Sequence, residues 1–135
     1  PDYMKPLEES LQLNNVPNVS AKALDWGNPG NLEGHWDWII GSDLVYSLEL
    51  CSLLTGLWAK MLEVYPDSTF IYSHTLNRWE DSGYDWPLHE AAVATGISFK
   101  LLQVDGRQVR EDDDVVIPDR KVTIIMQVLG PRSPM

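Results

Sequence analysis

A chain of 135 residues, 44% hydrophobic and 22% charged with six tryptophans, is the size of one compact domain with a real core. That composition excludes a disordered tail. Twenty acidic residues against ten basic ones give a formal charge of −10, with the cations spread along the chain, which excludes a general nucleic-acid surface and favours a basic partner.

The single cysteine, Cys51, has no internal disulfide partner and fits a reducing compartment, the cytosol or the nucleus. No apolar run approaches the ~20 residues of a membrane span, and Pro1-Asp2-Tyr3-Met4-Lys5 has no signal-peptide pattern. A chain that opens on proline is read as a fragment or processed piece.

Pro6-Leu7-Glu8-Glu9-Ser10-Leu11-Gln12-Leu13 combines an early proline, two acids and leucines four apart, which predicts a short helix ending near Asn14-Asn15. Beyond Pro17, the loose alternation from Val19 to Leu24 predicts a strand, stopped by the loop chemistry of Asp25-Trp26-Gly27-Asn28-Pro29-Gly30. Trp38-Ile39-Ile40 running into Gly41-Ser42-Asp43 suits a buried parallel strand with polar residues at its C-terminal end.

With Ser47 as a cap, Leu50, Leu54, Leu57, Met61 and Val64 recur at helical spacing and predict an amphipathic helix over 48–64, widened by Leu53, Trp58 and Leu62. Ser68 to His74 is a β-branched and aromatic strand, and Trp86-Pro87 starts a helix that Gly96 ends. Ile97–Val104 and Val122–Leu129 predict an antiparallel pair with a long polar connection that holds Glu111-Asp112-Asp113-Asp114 and Pro118. The order predicts an α/β domain over 1–130, its sheet mostly parallel with one antiparallel strand near an edge, and a frayed tail over 131–135.

Asp2 before a helix that ends in Leu13-Asn14-Asn15, Leu24-Asp25-Trp26-Gly27, the run Asp37-Trp38-Ile39-Ile40-Gly41-Ser42-Asp43-Leu44-Val45-Tyr46 and the closing antiparallel pair occur in that order. Together they resemble the S-adenosylmethionine-dependent protein lysine methyltransferases of methyltransferase family 16. The Asp-x-x-Tyr motif at the end of the fourth strand is the most specific element. The resemblance implies a Rossmann-like seven-strand sheet of order 3-2-1-4-5-7-6, with an antiparallel last strand. It also implies that the first strand, its glycine-rich turn and most of the second strand are absent here, since the nine glycines never lie two apart.

By this resemblance Asp2 would bind the cofactor's ribose hydroxyls, Asp25 and Trp26 would lie beside the adenine, and Gly41 and Ser42 would run past the methionine end. Asp43 and Tyr46 would face the channel through which the target lysine reaches the methyl group. Because a carboxylate favours the ammonium form while desolvation disfavours it, Asp43 suits an orienting acceptor better than a base. Each residue has a plainer alternative: a terminal position for Asp2, a turn with a core tryptophan for Asp25 and Trp26, a helix cap for Asp43 and packing for Tyr46.

His74 and Arg78, just past the fifth family strand, are candidate substrate contacts. His35, His74 and His89 lack metal-ligand spacing, so no metal is expected. Trp36, Trp38, Trp58, Trp79 and Trp86 read as packing residues, and the acidic run as a solvated loop.

The implied activity is methyl transfer from S-adenosylmethionine to a lysine of a protein substrate, carried out by the intact parent in the cytoplasm or nucleus, with this piece alone inactive. The alternative is a catalytically silent scaffold of the same fold. Without the central strands, the 19–24 strand lacks a neighbour and one edge of the Ile39 strand is unpaired, so a longer chain, another copy or a partner is expected to complete the sheet.

Overall fold

A computed structural model describes residues 4–44, 48–76, 87–114 and 121–130. The expectations for Asp2, Tyr46, Ser47, Arg78, Trp79, Trp86, Pro118 and the 131–135 tail lie outside the described residues.

Helix α1 spans Met4–Leu13, and Pro6 sits in its first turn, where a missing N–H removes no helical bond. The helix ends as expected: Asn15 takes a left-handed φ of 51°, and the Asn14 amide and side chain both donate to the Ser10 carbonyl. None of its residues is buried, and Leu13 is 86% exposed.

The segment that follows corrects the reading of 19–24 as a strand, because residues 16–37 contain no strand. Alternation alone forms no ladder; a strand needs a neighbour to take its N–H and C=O groups, and this segment has none. It is instead pinned at a few points. Lys60 Nζ donates to the Gly30 carbonyl at 3.2 Å, the Tyr65 hydroxyl to the Glu33 carbonyl at 2.7 Å, and the Ser68 hydroxyl to the Trp36 carbonyl.

Strand β1 (Trp38–Ser42) leads to helix α2 (Leu48–Val64), then β2 (Thr69–Leu76), helix α3 (Pro87–Thr95), β3 (Ser98–Val104), the two-residue β4 (Arg107–Gln108) and β5 (Val122–Leu129). The bounds predicted for α2 and β5 are those observed. Helix α3 ends on Gly96, whose φ of 80° lets the Ile97 amide reach the Ala92 carbonyl and the Gly96 amide the Val93 carbonyl. Asp105 and Gly106 both have positive φ, so the expected long connection opens with a tight hairpin from β3 into β4.

The sheet order is β1-β2-β5-β3-β4. β1 and β2 are parallel, β5 runs against both β2 and β3, and β1, β2 and β3 therefore point the same way. The closing pair is antiparallel as predicted, but β5 lies third in the sheet and not near its edge. Val122, Ile124, Met126 and Val128 alternate onto the face that α2 and α3 cover, and all are buried.

One face of the sheet carries the core. Phe70 and Tyr72 of β2 align with Val128 and Met126 of β5 in register. Over them pack Leu54, Leu57 and Trp58 of α2 with Leu88 and Ala92 of α3, and Trp58 meets Tyr72 edge-on at 4.9 Å and Phe99 at 6.0 Å. The stripe is narrower than its periodicity suggests, since Leu53 and Val64 are exposed. Trp58 packs as expected, whereas Trp36 and Trp38 are exposed, a correction that follows from β1 being the sheet's terminal strand.

Among the described residues no helix is long and apolar enough to cross a membrane. Leu54, 1% exposed at the centre of this core, sets its stability. Leu54→Ala is expected to lower the unfolding free energy by about 2–5 kcal/mol. Val93→Ala, on the solvent side of α3, should stay within about 0.5 kcal/mol, both read as urea midpoints of the whole chain.

Candidate functional site

The parallel pair β1–β2 ends in a polar turn, as its sequence predicts, and the geometry of that turn follows from how a parallel ladder stops. Ser42 aligns with Ser73, and the Asp43 amide extends the ladder by donating to the Ser73 carbonyl at 2.9 Å. One step further, the Thr75 amide would go to the backbone carbonyl of residue 43. The chain instead leaves the sheet there, because Asp43 has a φ of 46°, a left-handed conformation that aspartate tolerates better than most residues.

The Asp43 carboxylate takes over the vacated role: Oδ1 accepts from the Thr75 amide at 2.7 Å and Oδ2 from the Thr75 hydroxyl at 3.3 Å. Having given its proton to a carboxylate, that hydroxyl accepts from Thr123 Oγ1 at 3.2 Å, which ties β5 to the same point. Charge-assisted bonds of this length orient the carboxylate firmly, while its side chain remains 48% exposed. Among the described residues these bonds to β2 hold the Asp43 carboxylate, and the alternative of a cap shared with Ser47 lies outside them.

Beneath the turn lies Tyr72, buried and stacked on His74 with centroids 5.8 Å apart. The Leu44 amide donates to the Tyr72 hydroxyl at 2.9 Å, and that hydroxyl stands 3.4 Å from His74 Nδ1. His74 Nδ1 is also 3.8 Å from Asp43 Oδ1. Burial pushes the His74 pKa below the ordinary histidine value, and the Asp43 charge opposes that shift.

Gly41 makes the turn compact, since a Cβ there would come within 2.9 Å of Leu44 Cδ1 and 3.3 Å of the Tyr72 ring. Gly41 and Ser42 therefore sit in β1 directly before the turn, with Gly41 on the inner face and Ser42 exposed.

Asp25 and Trp26 form a separate turn. Asp25 Oδ1 accepts from the Gly27 amide at 2.9 Å and the Asp25 carbonyl accepts from Asn28, an Asx-type turn, while Trp26 is partly buried against the core. Gly27 rests on Leu53 in the second turn of α2, the end of that helix nearest Asp43 in the chain. The Asp25 turn thus lies against the N-terminal half of α2, and Asp43 precedes that helix in the chain. Asp2 and Tyr46 lie outside the described residues.

A cavity of about 550 Å³ lies elsewhere, at the start of β1 and the end of α2, lined by Leu24, Trp36, Trp38, Met61 and Tyr65 among others. Lys22, Asn31 and Glu33 also line it, and it does not include Asp25, Trp26 or Asp43.

The residues present suit part of the implied cofactor. An exposed turn with a fixed carboxylate and a half-buried indole suits an adenine. No Gly-x-Gly exists in the chain for the methionine end, and Gly41 turns inward on Leu44 and Tyr72. No group of three or more metal-ligating side chains occurs among the described residues.

Sequence reading missed Thr75 and Tyr72. Tyr72 was accessible to it, because residues 70, 72 and 74 alternate onto one face and bring a phenol beside His74. Thr75 was not, because its tie to Asp43 depends on the register of two strands separated by a helix.

Since the unfolded chain binds a proton on His74 near pH ~6.5 and the folded chain resists it, stability is fully present above that pH and falls as the pH drops through it, levelling off below the lowered folded value. His74→Asn is expected to remove this part of the slope, measured as urea midpoints between pH 7.5 and pH 5, about the range of histidine titration.

A family model described as lysine methyltransferase matches residues 1–84, a span that covers α1, the Asp25 turn, β1, α2 and β2. No curated protein and no solved structure matches the chain.

Proposed function

The chain belongs to the lysine methyltransferase family, and from that premise we propose that it forms the acceptor side of a site that methylates a lysine on a protein substrate. The observation that carries this reading is the Asp43 carboxylate, held at the end of a parallel strand pair by two bonds from Thr75 and still open to solvent.

S-adenosylmethionine, when bound, supplies an electrophilic sulfonium methyl. Of this chain's residues, Asp25 and Trp26 would hold its adenine, Ser42 would pass near the methionine end, and Asp2 would reach the ribose. Asp43 would accept from the substrate ammonium and align it, Tyr46 would wall the channel by the resemblance, and the ammonium proton would leave to water before attack. Alignment and exclusion of water are what such a displacement needs from a protein. Asp43 assists by orienting, because a carboxylate beside an amine favours the charged form and does not itself generate the nucleophile.

The order β1-β2-β5-β3 supports a seven-strand parent sheet, since it equals the 4-5-7-6 half of the order that the family implies. In this reading the strands that carry the glycine-rich turn pair with the bare edge of β1, supplied by the parent protein or by a partner chain. One cysteine, buried in α2, suits a reducing compartment, the cytosol or nucleus. The alternative is a catalytically silent scaffold of the same fold, which absence of a Gly-x-Gly turn from the full-length protein would favour.

The two readings separate in one experiment. A longer protein that contains this chain, incubated with methyl-labelled cofactor and cell extract, should label a lysine on a distinct protein, and Asp43→Ala should cut the labelling about a hundredfold through lost alignment. Unchanged labelling in that variant would remove Asp43 from the site. Absence of any labelling, with no heat of cofactor binding by calorimetry, would leave the scaffold.

A further inference from the structure

His74 is placed to act on the Asp43 acceptor. Its imidazole stands between two oxygens, the Tyr72 hydroxyl at 3.4 Å and Asp43 Oδ1 at 3.8 Å, and both approach the same ring nitrogen, Nδ1. One nitrogen cannot serve both in the same state. A phenol O–H donates to a bare Nδ1, whereas a carboxylate accepts from a protonated one.

The Tyr72 oxygen already accepts from the Leu44 amide, which directs its own proton away from Leu44, and Nδ1 lies within reach. The neutral imidazole is therefore suited to Tyr72, and the imidazolium to Asp43.

We propose that His74 is a positioning residue that gates Asp43 by protonation. With Nδ1 bare, the Leu44–Tyr72–His74 chain holds the left-handed turn and leaves Asp43 to the incoming ammonium. With Nδ1 protonated, its N–H swings to Asp43 Oδ1, and the acceptor is occupied from within. No covalent step is involved; a single proton from solvent moves the site between the two states. This deepens the methyl-transfer reading and rests on it for its consequence, though not for its geometry.

The surroundings of His74 permit such a gate. Asp43 at the end of β1 is the charged group that acts on it among the described residues, and Tyr72 is the titratable neighbour on its own strand. Across the sheet, β5 offers Ile124 as its register partner, fully buried and uncharged. The side chain is 16% exposed, so a proton can reach the ring, while burial lowers its pKa from the ordinary histidine value against the opposing Asp43 charge.

Nitrogen-15 NMR of the whole chain through a pH titration tests the gate without requiring activity. At neutral pH Nδ1 should be unprotonated and Nε2 should carry the hydrogen. As His74 gains its proton, the Thr75 amide signal should move with the same midpoint, because the Asp43 oxygen it donates to acquires a second donor. Asp43→Asn should lower the His74 midpoint, since the carboxylate favours the imidazolium. In Tyr72→Phe, hydrogen exchange at the Leu44 amide should quicken by about tenfold, the loss of one net hydrogen bond.

His74→Asn, which keeps an acceptor near Nδ1 and cannot titrate, should make the decline of methyl transfer below neutral pH shallower than in the unaltered protein, relative to each protein's own rate at about pH 7.5. An Nδ1-protonated neutral tautomer, a Thr75 signal indifferent to the His74 titration, or an acid decline unchanged in His74→Asn would overturn the proposal. Should methyl transfer itself be absent while the NMR coupling holds, the functional reading falls and the coupling between His74 and Asp43 stands.

Discussion

The way β1 and β2 stop together constrains everything functional in this molecule. A parallel ladder leaves an N–H on the longer strand wherever the shorter one departs, and here that amide belongs to Thr75. Asp43 departs through a left-handed residue and returns its carboxylate to that amide, so a single side chain ends the strand and is oriented by doing so. Gly41 allows the close approach of Leu44 and Tyr72 under the turn, and Tyr72 passes the constraint into the core through Trp58. The site is therefore as rigid as the sheet beneath it, which is what a group meant to align a nucleophile requires.

The opposite edge of β1 obeys no such closure. Trp38 is 65% and Ile40 78% exposed, and the strand's outer backbone has no partner in the sheet. Large apolar side chains beside an unpaired edge are what a sheet shows where another strand and its covering layer belong. The extended 16–37 segment and the undocked α1 lie on the sequence side of that edge. On the seven-strand reading proposed above, the segment over 19–24 and the strand at 38–42 would each lack the neighbour that sits between them.

What was legible in the sequence divides along the same line. Helix α2 and strand β5 were readable to the residue because a periodic apolar stripe reports burial that this chain itself supplies. The 19–24 alternation was misleading for a complementary reason, since it reports a burial for which the described structure offers no partner. The central position of β5 was hidden because pairing order is a long-range property. Of the candidate site, the turn at Asp43 and the turn at Asp25 were visible as local loop chemistry. Thr75 was invisible for want of register, and Tyr72 passed as one more strand aromatic.

That difference bears on how the acceptor works. Local sequence marks Asp43 as a carboxylate at a strand end, a description that fits a cap, a base or an orienting group equally well. The orienting role proposed for it draws on its non-local contacts. Asp43 receives an amide on Oδ1 and a hydroxyl on Oδ2, both from β2. Its remaining lone pairs have a fixed direction and an exposed approach, so what it offers an ammonium is geometry. A group of that kind is sensitive to any competing donor nearby, and His74 Nδ1 stands 3.8 Å from the same oxygen.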